Sequence, residues 1–122
     1  MIGYVTLGTN DLPRAVNFYT ELLGVIGAKK LWNTERMTMF GADQGQPMLA
    51  ICTPFDGKRA SSGNGAMVAL AAPNREAVQK LHAKALALGG SDEGPPGDRG
   101  NGFFGGYFRD LDGNKFVAFK MG

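Results

Sequence analysis

Gly3-Tyr4-Val5-Thr6-Leu7-Gly8-Thr9-Asn10-Asp11-Leu12-Pro13-Arg14-Ala15-Val16-Asn17-Phe18-Tyr19-Thr20-Glu21-Leu22-Leu23-Gly24 decides the fold. Tyr4-Val5-Thr6-Leu7 is a short strand-like run. Asn10-Asp11 is a helix N-cap pair, and Pro13 falls in the first turn, where a missing N–H costs little. Ala15, Val16, Phe18, Tyr19, Leu22 and Leu23 then recur at helical spacing, and Gly24 supplies the stop. The same plan returns later. Met67-Val68-Ala69-Leu70 repeats the strand at an offset of 63 residues, and Pro73-Asn74 opens a second helix. Val78, Leu81, Ala85 and Leu88 form its apolar stripe, and Gly89-Gly90 ends it.

Each helix is followed by strand candidates separated by Gly, Pro, Asp and Asn. In the first half they span 28–32, 36–40 and 47–53; in the second, a weak one at 91–93, then 103–109 and 114–120. Asp110-Leu111-Asp112-Gly113-Asn114 reads as a hairpin turn. The chain is therefore expected to be α+β, with two tandem βαβββ units covering about 1–57 and 64–122 of a single domain. The join lies in the polar, Gly-rich stretch 58–65. One helix covers only one face of each sheet, so the other face needs a partner, either the second half or a second chain.

Composition bounds the function. The chain has 122 residues, 43% hydrophobic and 20% charged, which fits a folded domain with a modest core. A net charge of +2 with scattered Lys and Arg excludes a nucleic-acid footprint. No apolar run reaches the roughly 18 residues of a membrane span. The first residues lack the basic region of a signal peptide. One cysteine, Cys52, leaves no intramolecular disulfide, and a cytoplasmic location is expected. With a single histidine, His82, and a single cysteine, the usual three- or four-donor zinc or iron site is out of reach.

The residues then meet a family. The opening at 3–12, with Phe18-Tyr19 and Leu22-Leu23-Gly24, resembles the start of a vicinal oxygen chelate protein. This is the superfamily of glyoxalases, bleomycin resistance proteins and dioxygenases. Tyr107-Phe108-Arg109-Asp110-Leu111-Asp112-Gly113-Asn114 is similar to its closing motif, and Pro54-Phe55-Asp56-Gly57 and Gly63-Asn64-Gly65 resemble a glyoxalase-like branch. The resemblance implies that each βαβββ unit curls into a half-open sheet, that two units enclose a cavity, and that the protein is a homodimer. It also implies where metal-dependent members keep their ligands. Those positions are Tyr4, Ala50, Met67 and Val117 here, so no metal or other cofactor is expected.

Other motifs have plainer readings. Gly100-Asn101-Gly102-Phe103-Phe104-Gly105 matches G-x-G-x-x-G but lacks the strand before and the helix after, so a flexible loop beside the cavity is expected. Asp110-x-Asp112-Gly113-Asn114 lacks the remaining ligands of a calcium loop. His82 falls on the flank of its helix and reads as a partly exposed structural residue. Cys52, on a strand, reads as a small buried apolar residue, with a reactive thiolate as the alternative.

Strand alternation places Tyr4 with Thr6, Met67 with Ala69, Gly105 with Tyr107, and Lys115 with Val117 and Phe119 on shared faces. By resemblance these faces line the cavity. The expected ligand contacts are Tyr4, Thr6, Met67, Ala69, Phe104, Tyr107 and Val117, with Arg99, and also Arg59, placed to meet a carboxylate. Two functional classes stay open. One is metal-free binding of a small organic molecule, as in bleomycin-resistance members, although a slightly basic chain does not match a basic drug. The other is a lyase, isomerase or dioxygenase-related enzyme working through Tyr4 or Cys52. A scaffold with a vestigial cavity, closed by Met67, Phe104 and Tyr107, is the third reading.

Overall fold

The computed structural model describes residues 1–42 and 45–122. The chain divides into two compact units, Met1–Ser61 and Ser62–Gly122. The first unit contains β1 (Tyr4–Gly8), α1 (Leu12–Gly24), β2 (Lys29–Asn33), β3 (Met37–Gly41) and β4 (Met48–Cys52). The second contains β5 (Val68–Ala71), α2 (Arg75–Ala87), β6 (Ser91–Asp98), β7 (Phe103–Arg109) and β8 (Lys115–Met121). Each unit is thus strand, helix, three strands. Each forms an open four-stranded mixed sheet, ordered β1-β4-β3-β2 in one and β5-β8-β7-β6 in the other. In both, the first strand runs parallel to the last, and the remaining pairs are antiparallel.

The helices start where the caps require. Asp11 accepts from the Arg14 N–H and Asn74 from the Ala77 N–H, each satisfying a first-turn donor that has no helical partner. In the first unit, Phe18, Tyr19 and Leu22 of α1 are buried, and Tyr19 meets Phe40 of β3 with ring centroids 6.1 Å apart. Phe40 pairs with Leu49, which pairs with Val5, so these residues form the face beneath α1. In the second unit, Phe108 and Phe116 stack 5.4 Å apart under Val78, Leu81 and Ala85 of α2.

The structure corrects three expectations. His82 is 5% exposed, not partly exposed. The β6–β7 hairpin packs over that flank of α2 and offers it polar partners, so the buried stripe is wider than the apolar residues alone define. The strand at 91–93 extends to Asp98. Pro95 and Pro96 are tolerated because β6 is an edge strand and the ladder to β7 skips from Gly94 to Gly97. In the segment 100–105, Phe103–Gly105 already belongs to β7, and the preceding turn is closed by Arg99 N–H to the Phe103 carbonyl at 2.7 Å. It is therefore a hairpin end rather than a loose loop.

The Asp110 turn is as the sequence implies. Its carboxylate accepts from the Asp112 and Asn114 N–H groups at 2.9 and 2.8 Å and from the Asn114 side chain at 2.9 Å. With its carboxylate bonded inside the turn, Asp110 serves the hairpin rather than a cation.

Candidate functional site

In the first unit, the sheet face away from α1 carries Tyr4, Thr6 and Gly8 of β1, Met48, Ala50 and Cys52 of β4, and Met37 and Met39 of β3. Register decides this. Thr6 lies opposite Ala50, Gly8 opposite Cys52, and Met37 opposite Cys52. Alternation puts Val5, Leu7, Leu49 and Ile51 on the helix side.

One end of this face opens into a cleft of about 450 Å³, within the usual size of small-molecule sites. Its floor is Thr6, Gly8, Met37 and Cys52, and its rim includes Arg36, Phe55, Asp56 and Arg59. The loop that forms the rim is held at both ends. Thr53 N–H donates to the Arg36 carbonyl at 3.0 Å, and Arg36 Nη1 donates to the Thr53 carbonyl at 2.7 Å. At the far end Asn10 clamps Ala60, accepting from its N–H at 2.7 Å and donating to its carbonyl at 3.2 Å. Gly8 makes this approach possible, since a Cβ there would stand 3.0 Å from the Ala60 methyl. The Arg36 guanidinium lies 5.5 Å from the Phe55 ring centre, while Phe55 is 91% exposed.

In the second unit, the face away from α2 carries Ala69, Val117 and Tyr107 in one cross-strand row. Arg99 and Lys115 lie 5.4 and 5.6 Å from the Tyr107 ring centre. Arg99 is already committed. It donates from Nε to the Gly105 carbonyl at 3.3 Å and from Nη2 to the Pro95 carbonyl. Glu93 meets Arg109 at 3.1 Å and Lys115 at 3.9 Å, partly balancing the positive charge. Met67 is exposed just before β5. Phe104 is on the other side of the sheet. It is 8% exposed, with the Arg75 guanidinium of α2 4.8 Å from its ring centre. It packs between sheet and helix, as its alternation with Tyr107 demands, and is removed from the expected ligand contacts.

The family model of the glyoxalase/bleomycin resistance protein/dioxygenase superfamily matches residues 1–118. The chain belongs to this superfamily. A glyoxalase/bleomycin resistance protein from Albidiferax ferrireducens is 34% identical, covers 100% of this chain and 99% of its own, and superposes with a TM-score of 0.90. A glyoxalase/bleomycin resistance protein/dioxygenase family enzyme from Burkholderia phytofirmans is 18% identical, with 98% and 97% covered and a TM-score of 0.79. A lactoylglutathione lyase from Agrobacterium tumefaciens is 19% identical, with 98% and 92% covered and a TM-score of 0.72. The last two show the shared fold alone. No curated protein is similar enough to match.

The resemblance assigns the metal positions to Tyr4, Ala50, Met67 and Val117. Tyr4 and Ala50 share the helix-free face of the first unit, and Met67 and Val117 are their equivalents in the second. The set is a phenol, a methyl, a thioether and an isopropyl group. Two have no donor atom, and the thioether is a soft ligand. The set does not fit a hard divalent ion. Among the described residues, no other group of three His, Cys, Asp or Glu side chains could hold one.

Residue reading alone did not find Arg36, Met37 or Asn10. Arg36 reaches the rim only through its pairing with Thr53, 17 residues away. No local signal marks that pairing, although Pro54-Phe55-Asp56-Gly57 marked the loop. Cys52 lies at the cleft floor, 9% exposed.

Proposed function

We propose that this superfamily member binds a small organic molecule without using a metal ion. The observation that carries the reading is the 450 Å³ cleft on the helix-free face of the first unit. It has a floor of small and sulfur-bearing side chains beneath a rim of charged groups and an exposed phenyl ring, a concave surface with polar anchors for a ligand. The unsuitable donor set at Tyr4, Ala50, Met67 and Val117 supports the metal-free part.

Thr6 is the proposed contact within the cleft. Tyr4 is proposed on the same face of its unit, and Met67, Ala69, Tyr107, Val117 and Arg99 on the helix-free face of theirs. The lone cysteine needs no oxidising compartment, and a cytoplasmic homodimer is the proposed form. Light scattering that returns a strict monomer removes the dimer. No helix of the described residues is long and apolar enough to cross a membrane.

The test is a thermal-shift screen against aromatic, metabolite and antibiotic ligands, run with and without chelator, on protein purified without a nickel column. The expected result is stabilisation by at least one ligand, unchanged by chelation. No shift with any compound sinks the binding reading. Stoichiometric zinc, nickel or manganese in the purified protein sinks the metal-free part.

A further inference from the structure

The rim of the cleft in the first unit carries more specific information than its volume. Arg36 and Arg59 both face it, and among the described residues Asp56 is the one acidic side chain with them. Asp56 turns its carboxylate into its own loop, accepting from the Lys58 N–H at 2.9 Å. The two guanidinium groups thus outnumber the acid at the rim.

Arg36 is half-buried and aimed. The Thr53 carbonyl takes one of its N–H groups at 2.7 Å and Phe55 flanks its plane. A guanidinium has five N–H donors, so this anchoring leaves a fork for an incoming oxyanion. No described residue pairs with the Arg59 guanidinium. Phe55 is the third element. A phenyl ring 91% exposed beside the Arg36 guanidinium leaves apolar surface in water that a flat ligand would cover. The floor beneath, Met37 and Cys52, is polarisable and suits an aromatic ring.

We propose that the ligand of this cleft is an aromatic carboxylic acid. Its carboxylate is received by Arg36 and Arg59, and its ring lies against Phe55 over Met37 and Cys52. The proposal rests on the reading of the protein as a small-molecule binder and names the class of molecule bound. Binding is non-covalent and moves no electrons.

The experiment is calorimetric titration of the full chain with 1-naphthoate, its neutral counterpart 1-naphthamide and its cationic counterpart 1-naphthylmethylammonium. The expected result is that naphthoate binds at least about tenfold more tightly than either counterpart, with affinity falling as salt rises. Arg59→Ala, an exposed substitution that leaves the fold intact, weakens naphthoate by about tenfold and leaves the amide unchanged. Phe55→Ala weakens naphthoate and naphthamide alike. Equal affinity for acid and amide, or an Arg59→Ala variant that binds naphthoate as the parent does, overturns the carboxylate assignment while the binding reading stands. Absence of binding by all three probes overturns the assignment. Failure of the binding reading itself is recognised separately, by the broad thermal-shift screen finding no ligand of any class.

Discussion

His82 donates from Nε2 to the Asp92 carboxylate at 3.0 Å, tying the middle of α2 to the start of β6. The same nitrogen lies 3.1 Å from the Tyr107 carbonyl. A carbonyl can only accept, so the proton is on Nε2 and is shared between the two oxygens. The ring is also edge-on to Phe108 at 6.3 Å. The single histidine is therefore a bracket between helix and hairpin. His82→Ala removes the bracket and leaves a hole, and is expected to cost about 2–3 kcal/mol of folding stability. Urea denaturation of the two proteins checks this, and coincident midpoints would contradict the bracket.

Asp92 links this contact to pH. Its carboxyl is held below its ordinary 3.8, first by the Gly94 N–H donated to it and then by the hydrogen bond and charge of His82. A carboxylate whose folded value is depressed stabilises the native state above its unfolded value, and this stabilisation is lost as pH falls through the folded one. The window therefore opens below about pH 4. Asp92→Asn is expected to flatten the acid limb of the stability curve and to leave its neutral shape unchanged. Melting curves at stepped pH show this directly; parallel acid limbs would mean that Asp92 contributes nothing to it.

Gly90 and Gly24 both follow or end helices, but their surroundings differ. A Cβ on Gly90 would stand 2.6 Å from the Arg109 carbonyl and 2.8 Å from the Ala85 carbonyl, both backbone atoms that cannot swing aside. Gly90→Ala is expected to destabilise by about 2–3 kcal/mol. Gly24, the last residue of α1, has nothing within 4 Å of that position. Gly24→Ala is expected to stabilise by about 0.5–1 kcal/mol, because alanine loses less freedom in a helix. Equal effects of the two substitutions in thermal melts would refute the packing argument.

The clamp between Asn10 and Ala60 predicts a protease-sensitive variant. Asn10→Ala removes both hydrogen bonds to the loop end, and Lys58 and Arg59 lie beside it. Trypsin is expected to cut at 58–59 about tenfold faster, at a stability cost of about 1 kcal/mol. Unchanged cleavage would show that the rim is held by the Thr53 end alone.

The pattern of apolar spacing, caps and turn residues determined the two βαβββ units, the element order and the Asp110 turn. Those features depend on neighbours within a few residues, and a capped helix or an Asx turn is dictated locally. Strand pairing put Phe104 on the helix side and Tyr107 on the opposite face, although the expected ligand contacts had grouped the two. Tertiary structure alone decided what depends on register and on packing between elements. Burial of His82 requires the β6–β7 hairpin to close over α2, and the aim of Arg36 requires β3 and β4 to pair so that residue 36 meets residue 53. Such contacts join residues far apart in the chain. Their geometry follows from which strands bond and where the ladder skips, and no single stretch of sequence encodes it.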